Sequence, residues 1–235
     1  MLKGYQNIFS LFLIVSGLIN INPAIAQSSD ETIDLKQIKQ KEVRNLVRRE
    51  KVKRASDYQQ IKTACYLVAD SSGYQTSLKT YIVKARIGTV WEKYMNISPQ
   101  KAWSGEMVKF GFLFSRPKNK FIYSENANDP IRVGSIVYVS LCLIRGIKNI
   151  GVAFEITGLD ESTKTISFCY LSGGASNGTQ EIQLSEMPNG DTKISHLSRY
   201  RSRSAFRDKE LYPIFHDRFV CEFHENILSQ IEYGL

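Results

Sequence analysis

From about residue 76 the chain reads as one strand, two short helices, a run of strands and one long C-terminal helix. No other feature narrows the fold as far. Strands joined by short polar turns pair antiparallel, and an antiparallel sheet of this kind has one face to bury. A sheet curled around a terminal helix encloses a hollow, and a hollow implies a guest. The order therefore predicts an α+β fold: a curved antiparallel sheet gripping a long C-terminal helix, with two short helices after the first strand and an N-terminal helical extension.

The individual elements follow from period and punctuation. Residues 80–87 alternate, with Tyr81, Val83, Ala85 and Ile87 on one side. Gly88 and Thr89 end that strand and open a short helix. Ser98 and Pro99 supply an N-cap and first helical residue for a second. Phe110, Phe112 and Phe114 alternate along the next strand, and residues 135–144, 150–157 and 165–171 are rich in Val, Ile, Phe and Tyr. Residues 178–185 and 192–204 form a hairpin around Pro188-Asn189-Gly190-Asp191, and a helical pattern occupies 206–232. Residues 171–179, rich in Gly and Ser, lack the Lys-Ser/Thr and following helix of a phosphate loop and read as a hairpin loop at a cavity mouth.

This order, the stretch TVWEKYMNISPQKAW at 89–103, GDTKISH at 190–196 and the aromatic last helix resemble the START and Bet v 1-like superfamily, which includes the polyketide cyclases. The resemblance covers the chain from about residue 75 and implies a helix-grip fold holding a hydrophobic ligand, as a carrier or as a cyclase-type enzyme.

The first 26 residues read as an export signal: Lys3, an apolar run at 8–18, and Ala24-Ile25-Ala26 as the cleavage site. The run is too short to span a membrane. An exported chain, periplasmic or secreted and starting at Gln27, is expected. Residues 27–74 are then a basic helical extension and linker, and 75–235 the helix-grip domain.

The formal charge of +8 suggests nucleic acid until it is located. Lys36 to Arg54 holds nine basic residues against Glu42 and Glu50, and Lys3 leaves with the signal, so the rest of the mature chain is neutral. Nucleic acid is disfavoured as a partner. Residues 30–62 lack Gly and Pro and read as one helix with sparse apolar positions, either a solvated leader or an arm touching an anionic membrane surface. Cys65, Cys142, Cys169 and Cys221 match no zinc spacing. An even count in an exported chain permits disulfides, although free buried thiols are the default expectation.

Three histidines carry what chemistry the sequence offers. Ile194, His196, Ser198 and Tyr200 share one strand face; Leu197, Arg199, Arg201 and Arg203 share the other, expected in solvent. On the last helix His216 and His224 fall on the side of Val220, Phe223, Ile227 and Ile231, opposite Arg218 and Glu222. Eight residues separate the two histidines, too far for one metal ion, and no metal or cofactor is expected. The predicted lining of the hollow is Trp91, Phe112, Tyr138, Phe154, His196, Tyr200, His216, Val220, Phe223 and His224. In a catalyst, His196 or His216 would be the base and Tyr200 the proton donor. In a binding protein the histidines would orient a ligand or be satisfied within the core.

Overall fold

A computed structural model describes residues 30–144, 148–202 and 204–232. The expected signal and its cleavage site lie outside the described residues. In chain order the elements are α1 (Lys41–Glu50), α2 (Ala55–Gln60), β1 (Gln75–Val83), α3 (Ile87–Asn96), α4 (Pro99–Ala102), β2 (Val108–Ser115) and β3 (Lys120–Tyr123). Then come β4 (Ser135–Ile144), β5 (Lys148–Asp160), β6 (Thr165–Tyr170), β7 (Ser176–Glu186), β8 (Thr192–Ser202) and α5 (Tyr212–Glu232). The strands form one antiparallel sheet in the order β1-β8-β7-β6-β5-β4-β2-β3. The four-residue β3, which offers too few residues for a period to show, was not predicted.

One sheet face grips α5, with α3 and α4 closing the end. Val137, Val139, Phe154, Ile166, Ile182 and Ile194 meet Trp103, Phe223 and Ile227 there. Glu222, on the side of α5 opposite its apolar residues, accepts the N–H groups of Glu106, Met107 and Val108 at 2.7 to 3.1 Å. It ties α5 to the start of β2, whose first amides have no strand partner to satisfy them.

The opposite face has a core of its own, built by the N-terminal extension. Residues 30–62 are not one helix. Lys51 turns left-handed (φ 59°) and ends α1, and Asp57 accepts the N–H groups of Lys53 and Arg54 to start α2. The break lets both helices lie on the sheet. Ile38, Val43, Val47, Ala55 and Tyr58 are fully buried against Phe112, Phe114, Phe121, Ile136 and Tyr138. Tyr58 sits among four aromatic rings at centroid distances of 4.9 to 6.2 Å. The solvated-leader expectation is therefore corrected: the basic side chains of α1 are its outer face, and its sparse apolar residues form a seam on the sheet.

Close approach makes that seam possible. A Cβ on Gly151 of β5 would lie 2.6 Å from the Glu42 carbonyl oxygen of α1, and one on Gly111 of β2 would lie 2.9 Å from Val43. Covalent and polar ties hold the rest. Arg116 makes two bonds to the Glu155 carboxylate, both 2.9 Å, and donates to the carbonyls of Tyr58, Gln59 and Ile61 at the end of α2. Cys65 and Cys169 are joined in a disulfide, correcting the expectation of free thiols for that pair, while Cys142 and Cys221 are not in disulfides. Tyr66 and Leu67 lead into a turn of 3-10 helix at Val68–Asp70. The Arg face of β8 is not simply solvated: Arg199 lies 5.0 Å over Tyr66, and Arg201 lies 4.4 Å over Tyr74 and pairs with Asp70 at 2.8 Å. Arg203 lies outside the described residues.

Among the described residues no helix is long and apolar enough to cross a membrane.

Candidate functional site

β8 and α5 bring all three histidines into the grip because each lies on its element's apolar side. His196 is 3% exposed, His224 0% and His216 9%. They join one buried hydrogen-bonded chain. The Tyr94 hydroxyl of α3 lies 2.5 Å from His224 Nδ1, and His224 Nε2 lies 2.9 Å from His196 Nδ1. His196 Nε2 lies 3.1 Å from Gln180 Oε1, which also accepts from the Ser198 hydroxyl.

The shared acceptor sets every proton. With Gln180 Oε1 accepting, His196 carries its proton on Nε2, so its Nδ1 accepts from His224 Nε2–H. His224 Nδ1 then accepts from Tyr94. Because Ser198 donates to Gln180, its oxygen is left to accept from His216 Nε2–H at 3.4 Å. Burial keeps the rings neutral, outweighing the upward pull of Asp217 on His216: His224 is pushed down to about 3, His216 to about 4, and His196 well below its ordinary value. His196 and His224 thus spend both nitrogens inside the protein. His216 does not: its buried Nδ1 has no partner among the described residues.

Two adjoining cavities meet at His216. The inner one, about 80 Å³, lies within the grip and is lined by Phe154, His196, His216, Val220 and Phe223 of the predicted set, with Tyr170 and Gln180. The outer one, about 220 Å³, opens among the ends of β4, β5 and β6, the 171–176 loop, α1 and the first turns of α5. Leu141, Val152, Tyr170, His216 and Phe219 wall both. The Gly-rich loop does stand at this mouth, through Leu171, Gly174, Ala175 and Ser176. Tyr212 stacks on His216 at 4.7 Å, and its hydroxyl meets that of Tyr170 at 2.5 Å.

Five predicted lining residues lie elsewhere. Phe112 and Tyr138 are on the opposite sheet face, stacked on each other at 4.4 Å. A bulge between Phe110 and Phe112 shifts the alternation of β2, so Phe110 faces the grip and Phe112 does not. Tyr138 belongs to a strand buried on both faces, where alternation carries no information. Trp91 caps the core end and bonds through its indole N–H to Glu161. Tyr200 stacks on Tyr212 and donates to the Asp208 carbonyl at 3.3 Å, and His224 lies behind His196 in the buried chain.

What sequence reasoning missed is the contribution of α1. Leu46 and Glu50 wall the outer cavity, and Glu50 accepts from the Tyr138 hydroxyl at 2.7 Å, with burial raising its pKa. The signal was present in the spacing of Val43, Leu46, Val47 and Glu50, one helical face. Among the described residues no group of three or more His, Cys, Asp or Glu side chains is placed to hold a metal ion.

No protein-family model and no curated protein sequence matches the chain. Among solved structures, a point mutant of norcoclaurine synthase from Thalictrum flavum in complex with a transition-state analogue is similar over 69% of this chain and 97% of that one, with TM-score 0.50 and 13% identity. Ginseng major latex-like protein 151 from Panax ginseng is similar over 68% of this chain and 98% of its own, with TM-score 0.48 and 12% identity. At this identity the likeness is one of fold: the chain carries a Bet v 1-like helix-grip fold.

Proposed function

We propose that this protein is exported and binds a hydrophobic or amphipathic small molecule, lipid-like in character, between the sheet and α5, as a carrier or sensor. One observation carries the reading: an apolar cavity of about 220 Å³ at the mouth of the grip, backed by an inner one of about 80 Å³. Together they approach the smaller ligand sites of proteins, which begin near ~300 Å³. Native mass spectrometry of protein purified from its own host tests it. A co-purifying apolar metabolite, released on denaturation, is the expected result; protein without adduct that also takes up no apolar probe overturns it. The same spectrum reads the mature N-terminus, expected at Gln27.

The catalytic alternative, a cyclase or aromatase-type enzyme, rests on His216. It alone of the three histidines lines both cavities and keeps a nitrogen without a protein partner among the described residues. The basic segment Lys36–Arg54 supports a peripheral role at an anionic membrane surface. Its apolar face is spent on the sheet while Lys41, Arg48, Arg49, Lys51 and Lys53 are exposed, so such contact would be electrostatic and abolished by salt in a vesicle-flotation assay.

A further inference from the structure

We propose that the cavity selects apolar molecules bearing a neutral hydrogen-bond donor, a hydroxyl above all, over carboxylates of the same length. The inference rests on the ligand-binding reading above and names the chemistry of its ligand.

It follows from the protons of the buried chain. Gln180 Oε1 takes the Ser198 hydroxyl proton, so Ser198 accepts and His216 holds its proton on Nε2. The tautomer of His216 is thereby set by Gln180, two hydrogen bonds away, and its Nδ1 is an acceptor. That atom is buried and without a partner among the described residues, on a residue that walls both cavities. A buried acceptor left unmet is costly, and a ligand that meets it recovers that cost. Stacking on Tyr212 at 4.7 Å holds the ring in place, so the acceptor is positioned before any ligand arrives. The other acidic or basic group among the described lining residues of the outer cavity is Glu50, also an acceptor and already held by Tyr138. A hydroxyl satisfies this wall. An ether oxygen meets lone pair with lone pair at His216, and a carboxylate adds its charge beside Glu50.

Isothermal titration with three probes of one chain length decides the matter: n-octanol, its isomer methyl heptyl ether, and octanoate. Octanol is expected to bind wild type about tenfold more tightly than the ether, the worth of one hydrogen bond, with octanoate weakest. In His216→Phe the octanol preference is expected to vanish while ether affinity holds. Ser198→Ala tests the relay itself. Releasing Nε2 lets the proton move to Nδ1, so the ether is expected to gain on octanol by several-fold, an effect that a plain apolar cavity would not produce. Should His216→Phe fail to fold, Ser198→Ala alone carries the test. An octanol preference untouched by both substitutions, or octanoate binding as tightly as octanol, overturns this inference and leaves the cavity reading standing. Failure of every probe to bind wild type overturns the cavity reading and this inference with it.

Discussion

At the scale of single residues, the buried chain from Tyr94 to Gln180 behaves as a unit because each proton position depends on the next. Tyr94→Phe removes the donor to His224 Nδ1 and leaves a fully buried acceptor unmet. The expected loss is about 1–3 kcal/mol in denaturant unfolding, against almost none for a surface Tyr→Phe change. Acid sensitivity follows from the same burial. The unfolded chain takes up protons on histidine near pH ~6.5, whereas folded His216 and His224 refuse them until about 4 and about 3. Stability is therefore complete above the unfolded value and falls as pH drops toward the folded ones, by about 2 kcal/mol per histidine at pH ~5. Thermal melts across this range should show the decline, and His216→Phe should make it shallower. The inward turn of the histidines was legible in the sequence, because Arg199 and Arg201 mark the other face of the His196 strand and Val220, Phe223 and Ile227 mark the side of α5 that His216 and His224 share. Which nitrogen was left unmet was not legible, since that depends on Gln180 and Ser198 meeting across two strands.

At the scale of elements, α1 and α2 are helices by courtesy of the sheet. Six and ten residues are too few to hold a helix alone in water, and their stability comes from packing on β2, β4 and β5. Gly151→Ala places a methyl group against the Glu42 carbonyl. It is expected to cost about 1–3 kcal/mol and to speed hydrogen exchange in 41–50 ahead of the sheet. Arg116→Ala would strand the Glu155 carboxylate, which is 14% exposed, and release three carbonyls at the end of α2. A loss of about 3–5 kcal/mol in urea unfolding is the expected outcome. The long strands and α5 were readable because period and length agree over many residues. The bulge at Phe110/Phe112 was not, and one inserted residue sent Phe112 to the wrong face of the predicted map.

For the whole molecule, the N-terminal extension is part of the fold and of the cavity. Removing residues 30–62 would uncover Phe112, Phe114, Phe121, Ile136 and Tyr138 together, and aggregation on size-exclusion chromatography is the expected result. The Cys65–Cys169 bond closes a loop 104 residues apart. In the chain-entropy account a loop of that size stabilises by about 4–5 kcal/mol. Cys65→Ser should lower the unfolding midpoint by a corresponding amount, and loosening of 62–66 should show in hydrogen exchange.

The sequence by itself determined the class of the fold and the inward turn of the three histidines. Strand and helix periods are local, and so is the choice of which side of an element is apolar. Only the tertiary structure decided what lies on the back of the sheet, which cysteines meet, and which of the predicted lining residues reach a cavity. Each of those outcomes depends on segments far apart in sequence, such as α1 on β5, Cys65 on Cys169 and Ser198 on His216. No period within either partner encodes the distance between them.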